Sequence, residues 1–195
     1  RVVDCLQTIS LSSRHLLSLI NNVLDMAKIE RSSLVFNRMK IALPELAEQV
    51  SSIIALQAQN SGIRFRTDVN HIRHKAIFGD PLRLNQILLN ILGNAVKFTP
   101  KGGSVEFLIE ELPACSAPGM ARYRFVVQDT GIGMGAEFAE HIFEPFSRGG
   151  DFGRAEGSGL GLSITKGLVD LMGGTIAVES QVHQGTVFQI ELECE

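Results

Sequence analysis

The first thirty residues constrain the fold more than any other stretch. Leu6, Ile9, Ser13, Leu16, Ile20, Val23 and Ala27 recur at spacings of 3 and 4, the pattern of a heptad seam. Leu17, Leu19 and Leu24 widen that stripe beyond a simple two-helix seam. A single helix cannot bury such a stripe within itself, so the chain is expected to open with a long helix that packs in a bundle or helical-hairpin dimer, a helix packed on its own domain being the alternative. The chain begins Arg1-Val2-Val3, with neither Met nor a capping residue, and reads as a piece of something longer. No apolar run approaches the ~18 residues of a membrane span, and the N-terminus lacks a signal-peptide layout.

Beyond residue 30 the pattern becomes mixed. Residues 34–40 read as a short strand and 46–56 as a helix following Pro44, a residue suited to a first turn. Asn60-Ser61-Gly62 ends that helix, and Ile63, Phe65, Thr67 and Val69 alternate as a strand. Asp80-Pro81 is a compact helix start, with Asp80 at the cap and the helix running to Phe98. Strands are expected at 104–110, 122–128, 175–179 and 186–192, with a helix at 162–172 between the two pairs. Antiparallel hairpins mixed with helices point to an α+β sandwich rather than a doubly wound parallel sheet.

Composition removes several functions. Eleven Phe, one Tyr and no Trp supply few faces for base stacking, and a net charge of −3 provides no global attraction to nucleic acid or anionic lipid. Cys5, Cys115 and Cys194 are odd in number and far apart, which fits neither a disulfide framework nor a zinc site. None of the five histidines pairs with a second ligand at metal spacing.

Three segments carry possible chemistry. Asp129-Thr130-Gly131-Ile132-Gly133 follows a strand, where a carboxylate can accept from an exocyclic amine and the glycines admit a flat ring. Gly157-Ser158-Gly159-Leu160-Gly161-Leu162 opens a helix whose free N–H groups suit an anion. Its spacing is not the dinucleotide fingerprint, and no Walker A lysine follows. Asn90, Asn94 and Lys97 fall on one helical face, where amide oxygens can help ligate Mg²⁺ and an ammonium can reach phosphate. Each segment alone is equally compatible with a turn or a solvated face.

Read together and in order, these segments and Phe143-Glu144-Pro145-Phe146 resemble the N, G1, F and G2 boxes of sensor histidine kinases. Residues 79–88 are similar to the lead-in of the N box, and 19–30 to the end of the second dimerisation helix. The resemblance covers nearly the whole chain and implies a two-layer, Bergerat-type ATP-binding sandwich, with a mixed sheet and helices on one face. Residues 1–32 would be the second helix of a dimerisation hairpin and 33–195 the catalytic ATP-binding domain.

By the same resemblance ATP and Mg²⁺ are the cofactors. Asp129 would meet the adenine amine, and Gly131 and Gly133 would let the ring lie close. Asn90 and Asn94 would hold Mg²⁺, with Lys97 adding positive charge. Gly157, Gly159, Gly161 and Leu162 would wrap the phosphates. Phe143 and Phe146 would anchor a lid of composition 147–156, in which Arg148 and Arg154 approach the γ-phosphate or simply face solvent. Thr186 would support the adenine pocket. Hydrolytic relatives such as type II topoisomerases carry Glu where this chain has Asn90, and an amide has no comparable role as a base. The implied reaction is therefore transfer of the γ-phosphoryl group to a histidine, with a response regulator receiver domain as the next partner. A homodimer through the N-terminal helix in the full-length protein, no nucleic-acid contact, no membrane contact by this fragment, and a cytoplasmic location, the parent being membrane-anchored or not, complete the expectation. The family's phosphoacceptor box has no counterpart here: His15 is followed by leucines and reads as an ordinary helix residue. The cut is thus expected between the hairpin's two helices. A degenerate, non-catalytic scaffold is the alternative reading.

Overall fold

A computed structural model describes residues 2–31, 33–113, 119–147 and 158–195. Helix α1 (Val2–Glu30) is followed by β1 (Met39–Ala42), α2 (Leu43–Ser61), β2 (Arg64–His71), β3 (Ala76–Gly79) and α3 (Pro81–Phe98). Then come β4 (Ser104–Leu112), β5 (Ala121–Asp129), α4 (Ala136–Glu140), α5 (Gly161–Leu171), β6 (Thr175–Gln181) and β7 (Gly185–Cys194). Five strands form one sheet in the order β2-β4-β5-β7-β6, and β1 pairs with β3 in a separate antiparallel ribbon. Only β2–β4 is parallel within the large sheet; the other three ladders are antiparallel. The α+β sandwich with a mixed sheet is what the sequence led us to expect.

Strand alternation makes one face of this sheet apolar. Val105, Phe107 and Ile109 of β4, Tyr123, Phe125 and Val127 of β5, and Phe188, Ile190 and Leu192 of β7 are all buried. Helices α2, α3 and α5 cover that side, burying Val50 and Ile54, Ile87 and Ile91, and Leu168 and Val169 against it. Each such side chain contributes about 1.5–3 kcal/mol. The opposite face carries charge paired across strands. Arg124 bonds Glu191 at 2.7 Å and Glu110 at 3.4 Å, and Arg122 bonds Glu193 at 2.7 Å. Glu191, and more weakly Glu110, hold the Arg124 guanidinium above its ordinary pKa.

The first strand lies later than expected, at 39–42 rather than 34–40, because its partner β3 pairs only with Met39–Ala42. Helix α2 extends further in both directions and ends where Gly62 adopts a left-handed backbone (φ 67°) and donates its N–H to Gln59 O. Of the cysteines, Cys194 is free and buried, and burial pushes its thiol up to about 11.

Helix α1 lies against α3 and α5. Met26 and Ile29 pack on the core, while Leu16, Ile20 and Val23 of the seam remain roughly half exposed. The side chains of Leu6, Ile9 and His15 lie outside the described residues. Asp25 accepts from Arg83 Nη1 at 3.0 Å and Gln86 Nε2 at 2.9 Å, tying α1 to the first turns of α3. A groove of about 390 Å³ runs beside this contact, lined in part by Asn21, Leu24, Lys28 and Leu89. No described helix is long and apolar enough to cross a membrane.

Candidate functional site

Helix α3 is the spine of the site, and its start is fixed locally. Asp80 Oδ1 accepts the N–H groups of Leu82 and Arg83 at 3.0 and 3.1 Å, while Oδ2 accepts Asn37 N–H at 2.9 Å. Pro81 occupies the first turn, where its missing donor costs nothing. The buried stripe from Leu84 to Val96 sets the helix's rotation on the sheet. That rotation leaves Arg83, Gln86, Asn90, Asn94 and Lys97, spaced 3-4-4-3, on a common polar flank.

At its middle, α3 meets the beginning of α5. Asn90 Nδ2 donates to Thr165 Oγ1 at 2.8 Å. Asn90 Oδ1 lies against Gly161, the first residue of α5, in the place a Cβ there would take. Any side chain at 161 would fill this approach, so Gly161 is required by its neighbour. The N–H groups of the first turn of α5 consequently open beside the Asn90 amide.

At its end, α3 meets the G1 loop. Phe98 O accepts Ile132 N–H at 3.1 Å, and Lys97 Nζ sits 5.0 Å above the Phe98 ring. Asp129 closes β5 opposite Thr186 of β7 and is only 6% exposed. Burial pushes its carboxyl above the usual range, partly offset by N–H donors from Gly131 (2.8 Å) and Thr186. Gly133 has a left-handed backbone (φ 63°), and a Cβ there would run into the carbonyl of Gln181. The loop therefore seats on the β6–β7 hairpin, with His183 N–H bonding Ile132 O at 2.7 Å.

The aromatic box behaves unevenly. Phe143 packs edge-on against Phe188, ring centres 6.4 Å apart. The Phe146 side chain is 68% exposed, and its contact is made by the backbone. Phe146 N–H bonds Gly159 O at 2.9 Å, and both residues have left-handed backbones (φ 62° and 72°), so the segments meet main chain to main chain. Leu162 lies partly buried on the core. Gly157, Arg148, Arg154 and the rest of 148–157 fall outside the described residues.

The structure thus joins Asn90 to Gly161, Asp129 to Gly131 and Thr186, and Phe146 to Gly159, while Asn94 and Lys97 share the polar flank of α3 with Asn90. Two further residues belong here. Ser180 accepts Met134 N–H at 2.9 Å, bonds Gly185 O at 3.0 Å and meets Thr186 Oγ1 at 2.9 Å, locking the loop after Gly133 to the hairpin. Thr165 holds Asn90. Neither carries a sequence signal, since each sits at an ordinary strand or helix position. Among the described residues no group of three or more His, Cys, Asp or Glu side chains can hold a metal. Asparagine oxygens alone suit a Mg²⁺ that arrives with phosphate oxygens and keeps several waters, so the donor set fits that ion.

Comparison with known proteins agrees with this geometry. The family model for histidine kinase-, DNA gyrase B- and HSP90-like ATPases matches residues 79–195. The sensory/regulatory protein RpfC of Xanthomonas campestris pv. campestris is 40% identical over 192 residues, 97% of this chain and 26% of RpfC. The signal transduction histidine-protein kinase BarA of Escherichia coli is 34% identical over 188 residues, 95% of this chain and 20% of BarA. The chain therefore spans about a quarter or less of these relatives' length. Full-length ShkA, solved in complex with AMPPNP, matches with a TM-score of 0.77 and 35% identity over 91% of this chain and 35% of that one. The catalytic domain of histidine kinase ThkA, nucleotide-free, matches with a TM-score of 0.66 and 26% identity over 80% of this chain and 95% of that one.

Proposed function

The chain belongs to the histidine kinase-, DNA gyrase B- and HSP90-like ATPases, and from that premise we propose that it is the catalytic module of a sensor histidine kinase. In this reading it binds Mg·ATP and directs the γ-phosphoryl group to a histidine on a dimerisation helix, for onward transfer to a receiver domain. The observation that carries it is the seating of Asn90 against the first residue of α5, with buried Asp129 at the end of β5, beside the loop that the C-terminus of α3 meets. Helix α3 thereby brings an oxygen ligand beside an anion-binding helix start, and its C-terminus meets the loop that follows a carboxylate suited to a base.

Bound Mg²⁺ would supply charge neutralisation for in-line phosphoryl transfer, a reaction catalysed mainly by positioning and electrostatics. Asp129 accepts from the adenine amine and orients the ring over Gly131 and Gly133. Asn90 and Asn94 offer amide oxygens to the cation, and Lys97 adds positive charge along the same flank. The α5 N-terminus, freed of side chains at Gly159 and Gly161, donates N–H groups to phosphate oxygens. Asn90 cannot serve as a general base for water, which favours transfer over hydrolysis. Residues 1–32 act as the dimerisation helix and 33–195 as the catalytic domain. The exposed Leu16, Ile20 and Val23 support a homodimer through α1.

Calorimetry with AMPPNP and Mg²⁺ tests the reading. Micromolar-range binding is expected, with a loss of about fivefold to 150-fold in Asp129→Asn, since removing one partner of a buried polar contact costs about 1–3 kcal/mol. A folded chain that binds no AMPPNP overturns it.

A further inference from the structure

An asparagine ligand has a problem that a carboxylate does not: its two ends are chemically opposite. The oxygen attracts a cation, the amino group repels one, and rotation by a half-turn exchanges them. Asn90 therefore needs something to decide which end faces the phosphate side of the site.

The deciding group lies on the other helix. Thr165 sits one turn beyond Gly161 on α5, 1% exposed, and its Oγ1 accepts the Asn90 Nδ2 proton at 2.8 Å. That bond leaves Oδ1 as the atom nearest to Gly161, at the helix start. The neighbours of Thr165 along α5 on the core side, Ile164, Leu168 and Val169, are buried and apolar. Valine has nearly the same shape as threonine and would pack there equally well. What the hydroxyl adds is the bond to Asn90.

We propose that Thr165 is a positioning residue for the cation-binding oxygen of Asn90, set on α5 so that one helix both donates N–H groups to phosphate and orients the metal ligand of the other. This deepens the reading of Asn90 as a Mg·ATP ligand and rests on it. Groups that orient a metal ligand commonly change metal affinity by about 10–100-fold. Because the bond spans α3 and α5, it also fixes the separation between the amide and the helix start, the two parts a triphosphate must bridge.

The test compares Thr165→Val and Thr165→Ser with the wild-type chain. AMPPNP affinity is measured by calorimetry in Mg²⁺ and again in EDTA, alongside the Asn90 side-chain amide resonances by NMR. Thr165→Val should lower the affinity in Mg²⁺ by roughly tenfold or more and change the affinity in EDTA by less than about twofold, with the Asn90 amide signals shifted. Thr165→Ser, which keeps the hydroxyl, should restore both. Equal weakening with and without Mg²⁺ would show a packing role only and overturn the proposal, as would an unchanged Mg²⁺ dependence. If Thr165→Val loses its fold, Thr165→Ala against Thr165→Ser supplies the same contrast. Absence of AMPPNP binding by the wild-type chain overturns the nucleotide-site reading as well, whereas normal binding with a Mg²⁺-insensitive valine variant overturns this inference alone.

Discussion

Asp129 is the residue at which the needs of the site and of the fold diverge. Recognition of an exocyclic amine requires an acceptor, which the ionised carboxylate provides twice over. Burial disfavours that ion and lifts its pKa above 3.8, while the N–H groups of Gly131 and Thr186 offset part of the cost. A raised folded pKa has a definite consequence for stability. The contribution of the group is complete below the unfolded pKa near 3.8 and is lost as pH rises through the folded value. At neutral pH the ionised Asp129 is therefore a net cost, one that Asp129→Asn does not carry. The melting temperature of Asp129→Asn relative to wild type should be higher at pH 7 than near pH 4. Paired thermal melts at the two pH values measure this. A difference that stays constant between them would mean that the carboxylate is not penalised by its surroundings.

Among elements, α3 repays most attention because its boundaries were readable and half of its purpose was not. The Asp80-Pro81 start and the Thr99-Pro100 stop are local signals, and the helix occupies Pro81–Phe98 as expected. Asp80→Ala should cost about 1–2 kcal/mol from the cap, and about 0.5–1.5 more from the bond to Asn37, because one carboxylate serves three N–H groups. Urea denaturation would show this as a lower midpoint with an unchanged slope. A loss below about 0.5 kcal/mol would place the helix start under tertiary rather than local control. The polar flank was read only from Asn90 onward. Arg83 and Gln86 extend it by two turns, but their partner Asp25 lies 58 and 61 residues away, and no local pattern announces such a contact. The same reason hid Thr165 and Ser180, whose roles exist only once α5 meets α3 and β6 meets the G1 loop. Strand β3 escaped because Ala76-Ile77-Phe78-Gly79 is four residues long and defined by pairing with β1. Helix α4, of five residues, is likewise too short to show a period. Motif glycines, by contrast, were legible because backbone constraints such as the left-handed turn at Gly133 limit residue type directly.

At the scale of the whole molecule, the polar flank of α3 divides into two halves with different customers. Its first turns bind α1 through Asp25, and its later turns carry Asn90, Asn94 and Lys97 of the proposed nucleotide site. Helix α1 also touches α5, where Gly167 admits Ile29 so closely that a Cβ there would come within 2.5 Å of Cγ2. The end of α1 thus rests on α3 through Asp25, Arg83 and Gln86, and on α5 through Ile29 at Gly167. Asp25 and Arg83 are each 15% exposed, and Arg83 also bonds Gln86 Oε1 at 2.8 Å, so the three side chains form a closed, partly desolvated set. Removing Asp25 leaves Arg83 and Gln86 without that acceptor, at a cost of about 1–2 kcal/mol. A surface pair would be worth less than 1 kcal/mol. Asp25→Ala should therefore raise hydrogen exchange in the last turns of α1 while changing AMPPNP affinity by less than about threefold, because Asn90 keeps its own partner on α5. A double-mutant cycle with Arg83→Ala separates this contact from general destabilisation: a coupling energy of about 0.5 kcal/mol or more is expected for residues in one network. A coupling near zero would mean that Ile29 and Met26 alone hold the helix. In that case the polar triad would contribute specificity of docking at most, and α1 and the nucleotide site would be joined through apolar packing on α5.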